Sequence, residues 1–200
     1  WTQVQAAFGR ITPPTPLPAT AVLSETPARP AVGAAAKEIK IRRGKPTDAS
    51  ALAEFIKQAT GGQRVLTRAD IMAAFGEKAY MLGDYGGQLA AIAGWKVENL
   101  VARVDEMYLA SSAPVGEIMP PLMEAVENAA KELQSEAALV FVPQALMAAV
   151  TQALAATEFV PQEPARLGVA SWKEAARESQ PPGTALLFKK LREDRVLRPI

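Results

Sequence analysis

The chain has 200 residues, 49% of them hydrophobic, with 22 basic and 21 acidic side chains and a formal net charge of +1. That suits one domain with an appendage, lacks the basic excess of a nucleic-acid binder, and offers no run of about 18 apolar residues for a membrane span. Cys and His are both absent, which excludes disulfides, thiolate nucleophiles, Cys/His zinc sites and Ser-His-Asp triads, so no metal site is expected and acid–base work falls to Asp, Glu, Tyr, Lys or water.

The sequence begins at Trp1, read as a processed or truncated start, and its first residues carry no secretory signal. A cytoplasmic or organelle-interior location is therefore expected over secretion. Trp1, Val4, Phe8 and Ile11 fall on one face of a helix. A helix this short is marginal alone. It is expected either to pack back on its own domain or to dock on a protein partner, with Trp1 and Phe8 as anchors. Thr12–Ala36 holds six prolines and only Glu25 and Arg29 as charges, the composition of a semi-extended linker. The expected organisation is a docking segment at 1–11, a linker at 12–36 and a folded domain at 37–200.

Within that domain, Glu38–Arg43 alternates as a strand. Thr47 or Asp48 caps a helix to about Ala59, with Leu52, Phe55 and Ile56 inward, and Gly61-Gly62 breaks it. Thr67 with Asp70 starts a short helix ending at Gly76. Ala79–Asp84 and Gln88–Val97 read as strands joined by Tyr85-Gly86-Gly87, and Ala102–Leu109 as the next strand. Pro120 or Pro121 is expected to open a helix to Leu133, with Leu122, Val126, Ala129 and Leu133 on one face. Ala137–Val142 is wholly apolar, as in a central buried strand. A helix from Pro143 or Gln144 to about Thr157, a strand at Glu158–Pro161, a helix opened by Ser171 with Glu174, and a strand at Thr184–Leu191 complete the reading. Glu124, Glu127, Lys131 and Glu132 look like a solvated helix face, and Lys189-Lys190-Leu191-Arg192 like a solvated end. Trp95 and Tyr108 are read as core or sheet-face residues.

The segment from Met107 to Met123 carries the functional question. It reads as a strand, a loop and a helix start, where backbone N–H groups and the helix dipole favour a phosphate. Yet Pro114, Pro120 and Pro121 lack donors, Glu117 is negative, and only Gly116 permits close approach of the backbone.

The element order resembles the GNAT superfamily of acyl-CoA-dependent N-acetyltransferases, a mixed, mostly antiparallel sheet flanked by helices. Ile41–Ala49 looks like its first strand and turn, Tyr80–Trp95 its central hairpin, Val104–Leu109 its fourth strand, and Ala185–Phe188 its closing strand. Phe159 stands where the family often has Gly-Phe. The family's pyrophosphate loop, Arg/Gln-x-x-Gly-x-Gly/Ala, falls here on Pro114, Val115, Glu117 and Met119, none of which matches. Repulsion from Glu117 would cost about 1–4 kcal/mol, and each lost amide bond to a charged ligand about 1.5–3 kcal/mol more. The family's thiolate-protonating Tyr falls on Leu154. Asp105 or Glu106 would be the base, of which strand alternation lets only one face a cleft.

The expectation is therefore a non-catalytic GNAT-like accessory or scaffold subunit, tethered to a protein partner through Trp1, Val4, Phe8 and Ile11, with no cofactor. The alternative is an acetyltransferase with a divergent loop. It would use Asp105 or Glu106, and would hold acetyl-CoA through Met107, Tyr108, Leu109, Gly116 and Ile118. A small-metabolite sensor is the second alternative.

Overall fold

A computed structural model describes residues 37–192. The expectations for 1–11 and 12–36, and the last eight residues of the domain, lie outside the described residues.

The strands are β1 (Ile39–Arg43), β2 (Ala79–Tyr85), β3 (Gln88–Glu98), β4 (Val101–Leu109), β5 (Ala137–Pro143), β6 (Val160–Gln162) and β7 (Thr184–Lys190). They form one sheet in the order β1-β2-β3-β4-β5-β7-β6. Every pairing is antiparallel except β4 with β5. The helices are α1 (Ala49–Ala59), α2 (Arg68–Ala74), α3 (Val115–Glu132), α4 (Met147–Ala153) and α5 (Ala170–Ser179). Helices α3 and α4 cover one face of the sheet around Trp95, Val104 and Val140. Helices α1 and α2 cover the other around Tyr80, Leu82 and Ile92, and α5 packs beside them over Leu139 and Phe141. No described helix is long and apolar enough to cross a membrane.

Local chemistry explains several elements. Thr67 and Asp70 exchange side-chain-to-backbone hydrogen bonds and start α2, satisfying two helix-end donors. Gly86 and Gly87 turn the β2–β3 hairpin at φ of 60° and 80°, a left-handed pair that a side chain would strain. Arg42 on β1 bridges Asp48, at 2.9 Å, and Asp84 on β2, at 3.0 Å, tying the first turn to the sheet. Ala137–Val142 is buried throughout as the interior strand β5.

Four expectations need correction. Helix α3 starts at Val115, and Pro120 and Pro121 lie inside it. The N–H groups they lack would have met the carbonyls of Gly116 and Glu117, which sit in exposed residues where water can take them. Leu133 closes α3 and is 53% exposed, so the apolar face ends at Ala129 and Ala130. Helix α4 is shorter than expected, following a 3-10 turn at Gln144–Leu146 and ending at Ala153. The Ser171–Glu174 cap does not form. Val169 is the capping position, and Ser171 lies inside α5.

Candidate functional site

The parallel seam between β4 and β5 is paired only over Val101–Val104 against Ala137–Val140. Beyond that, β4 runs on to Leu109 and β5 to Pro143 without pairing each other. The cause lies on the opposite edge of β4. Gly94 of β3 faces Glu106 while Trp95 faces Val104, so Asp105 is an extra, bulged residue. A bulge bends its strand and increases the local twist, which carries the end of β4 away from β5.

A cavity of about 580 Å³ lies at this opening. Met107–Ser111 and Ala113 form one wall, Pro143, Ala145 and Leu146 another, the end of α1 (Gln58–Thr60) with Gln63 a third, and Val115 at the start of α3 the last. None of these lining residues is charged.

Behind the wall lies an ion-pair cluster built on the bulge. Lys78 donates to both carboxylate oxygens of Asp105, at 2.8 and 2.9 Å. It also stands 3.6 Å from Glu106, which accepts from Arg64 at 2.8 Å and from the Tyr80 hydroxyl at 3.2 Å. Strand alternation predicts that only one acid faces any given side. The bulge suspends that rule, and both acids reach the same lysine. Neither lines the cavity. Burial first, and then the charge of Glu106, pushes the phenols of Tyr80 and Tyr108 well above the ordinary tyrosine range, so both stay protonated at any ordinary pH. Tyr108 is both a sheet-face residue and a wall of the cavity, and its Oη accepts from Arg64. Trp95 is core.

The start of α3 is less crowded than the sequence suggests. Gly116 is exposed, and a Cβ there would meet nothing within 4 Å. Met119 and Ile118 are fully buried, Ile118 against Gly83, so neither side chain blocks the helix end. Glu117 is exposed. Pro120 and Pro121 lie in the second turn and take nothing from the first. The N–H groups of Ile118 and Glu117 are not open, since both bond the Pro114 carbonyl, at 3.0 and 2.9 Å. Val115 and Gly116 keep theirs, with no acceptor among the described residues. Leu154 is fully buried in the core on the α3–α4 side and does not line the cavity.

The solvated readings at the far end of α3 hold for Glu124, Lys131, Glu132 and Lys190, which are exposed, and are corrected for Glu127 and Lys189. Lys189 has only 11% of its side chain exposed and lies 2.8 Å from Glu127, which also pairs with Lys131. No group of acidic residues among those described could hold a metal ion.

Arg64, Lys78 and the α1 wall belong to the site without any local signal in the sequence. Arg64 lies 44 residues from Tyr108 and Lys78 lies 27 from Asp105. No local pattern announces such pairs.

No family model matches the sequence, and no curated protein matches it. Solved structures match the fold. A GNAT-family acetyltransferase of Streptococcus pneumoniae is 16% identical, with a TM-score of 0.57 over 78% of this chain and 100% of that one. The protein yncA of Salmonella typhimurium, solved with its cofactor acetyl-CoA, is 12% identical, with a TM-score of 0.57 over 78% and 95%. The paia N-acetyltransferase of Thermoplasma acidophilum, in complex with coenzyme A, is 12% identical, with a TM-score of 0.54 over 76% and 99%. These likenesses correct the reading of a non-catalytic scaffold. The structures matched are acetyltransferases, two of them holding acetyl-CoA or coenzyme A. At these identities the likeness concerns architecture, and on it the chain has the GNAT fold.

Proposed function

We propose that the chain is an acyl-CoA-dependent N-acetyltransferase with a divergent coenzyme A loop. The supporting observation is the parted β4–β5 seam, where an unpaired strand edge, an uncharged cavity and a helix N-terminus meet. The free edge at Met107, Tyr108 and Leu109 is suited to the amides of a pantetheine arm, which would add to it as an extended strand does. The uncharged walls are suited to a thioester. The N–H groups of Val115 and Gly116, with the positive helix end, would meet the diphosphate. That cradle is thinner than a glycine-rich one, and weaker diphosphate binding is expected. Bound acetyl-CoA would supply the acyl group. The residues would orient the thioester and exclude water while the acceptor amine attacks.

Asp105 and Glu106 are the candidate bases, although Lys78, Arg64 and Tyr80 occupy their oxygens. A base role requires one of these partners to give way when the amine arrives.

Absence of Cys makes the test clean, because free thiol released from acetyl-CoA is read without protein background. Calorimetric binding and thiol release with a panel of amines are expected. No binding at about 1 mM acetyl-CoA, the upper end of ordinary KM values, would overturn the proposal. The face formed by Trp1, Val4, Phe8 and Ile11 would tether such an enzyme to a protein partner. Deleting 1–11 and following assembly by sedimentation tests that separately.

A further inference from the structure

Two tyrosines stand on the α1–α2 face of the sheet, and their protons have different fates. Tyr80 donates its hydroxyl proton to Glu106. Tyr108 accepts from Arg64, and because a guanidinium only donates, this bond leaves the phenolic proton untouched. Among the described residues no acceptor takes that proton. Tyr108 also forms part of the cavity wall, whereas Tyr80 does not. The other side-chain donors in the wall are Gln58, Thr60, Gln63 and Ser111. Thr60 already bonds the Ile56 carbonyl, and Ser111 is exposed at the rim. Tyr108 is thus a buried residue on the bent end of β4 that lines the cavity at the opening of the seam, with a hydroxyl proton to give.

We infer that Tyr108 is a catalytic residue of the proposed acetyl transfer, and that its hydroxyl donates a hydrogen bond to the thioester carbonyl oxygen as that oxygen becomes an oxyanion. The inference rests on the acetyltransferase reading. The amine lone pair forms a bond to the carbonyl carbon, and the C=O π electrons move onto the oxygen, which the Tyr108 hydroxyl meets. The C–S bond then breaks as the carbonyl re-forms. The sulfur leaves with the electron pair and takes a proton from water, and the amine nitrogen loses its proton through water to the base, Asp105 or Glu106. Tyr108 keeps its own proton throughout. Its high pKa suits that part, because a phenol that does not ionise remains a donor. Arg64 acts through it as a positioning residue. Its charge-assisted bond to Oη fixes the hydroxyl and polarises it toward the cavity, since a hydrogen bond accepted strengthens the one given. Pre-placed donors aimed at developing charge carry much of the catalysis in acyl transfer.

The test compares the full chain with Tyr108→Phe, which keeps the ring in the wall. Tyr85→Phe, at the β2–β3 hairpin, is the control for loss of a hydroxyl. In Tyr108→Phe, kcat is expected to fall about 100-fold or more, the cost of removing one such donor, with the KM for acetyl-CoA little changed. The infrared C=O band of carbonyl-labelled acetyl-CoA should shift to lower frequency on binding the natural chain, and the shift should shrink in Tyr108→Phe and in Arg64→Met. The infrared arm needs no acceptor amine. If acetyl-CoA binds and both turnover and carbonyl band are the same in Tyr108→Phe, the role of Tyr108 is overturned while the acetyltransferase reading stands. If acetyl-CoA does not bind the natural chain, both fall together.

Discussion

The two halves of the β4–β5 seam share the same strands and do opposite work. In the closed half, Val101–Val104 pair with Ala137–Val140, and every one of these side chains, Arg103 included, is buried. In the open half, Met107–Leu109 and Pro143 share no ladder bond and wall a cavity. One extra residue, Asp105, separates the two. Helix α3 spans both. Its start reaches the open half through Val115, and its end is fixed to the closed half by Glu127 and Lys189, the latter opposite Ala138 on β7. The contrast shows how a sheet makes a site without a separate domain, since withholding a few ladder bonds leaves polar backbone edges next to apolar walls.

The largest expected effect breaks the closed half. Leu139 is fully buried on β5. Leu139→Ala should lower stability by about 2–5 kcal/mol, the range for a leucine truncated in a packed core. Urea unfolding with an unchanged m-slope measures it. A loss under about 1 kcal/mol would mean that this half of the seam is not core.

The matching change in the open half should leave stability alone. Ala145 is exposed and lines the cavity. Ala145→Trp fills space used by a ligand while touching little of the core, so stability should move by no more than about 0.5 kcal/mol. Acetyl-CoA affinity should drop about tenfold or more, equivalent to about 1.4 kcal/mol. Unchanged affinity would place the ligand elsewhere.

Glu127 sharpens the comparison through pH. Burial pushes its carboxyl up, but the hydrogen bonds and charges of Lys131 and Lys189 outweigh that and hold it below the ordinary value of 4.5. A carboxyl depressed in the folded chain contributes stability above its unfolded pKa and loses it as pH falls through the folded value. Glu127→Gln should therefore cost about 1 kcal/mol at neutral pH. The gap to the unaltered chain should close as pH falls through the lowered carboxyl's range and the group protonates in both states. A gap constant from pH 7 to 3 would show that the charge contributes nothing.

Much of this architecture was legible because its signals are local. The Thr67–Asp70 cap, the Gly86-Gly87 turn and the apolar run of β5 each fit within a few residues. The start of α3 was not, because Pro120 and Pro121 mimic a helix opening, and only the placement of their missing bonds at exposed Gly116 and Glu117 reveals that they are interior. The bulge did leave a trace. Val104 and Met107 are both buried in the α3 core although three residues apart, which strict alternation forbids, and two acids stand between them. The cations that hold those acids, Arg64 and Lys78, come from elsewhere in the chain, and only the fold brings them together.

The smallest expected effect decides how much the loop matters. Glu117 falls on a glycine position of the GNAT loop that the sequence resembles, and read from the sequence alone its charge opposes a diphosphate. In the structure it is exposed on the first turn of α3, where water and salt screen it. Val115 lines the cavity and Glu117 does not, and the two open N–H groups precede it. A charge at an exposed helix end contributes about 0.3–1 kcal/mol at low ionic strength. Glu117→Gln should thus raise acetyl-CoA affinity about two- to fivefold in low salt. The gain should fade near 1 M salt, where the screening length is about 3 Å. Calorimetry at two salt concentrations reads both. A gain well above tenfold would make this one carboxylate the main barrier to coenzyme A and the open half of the seam a site held shut by its own helix. A gain of the predicted size assigns the weaker cradle to the missing glycines and leaves the seam itself as the feature that binds.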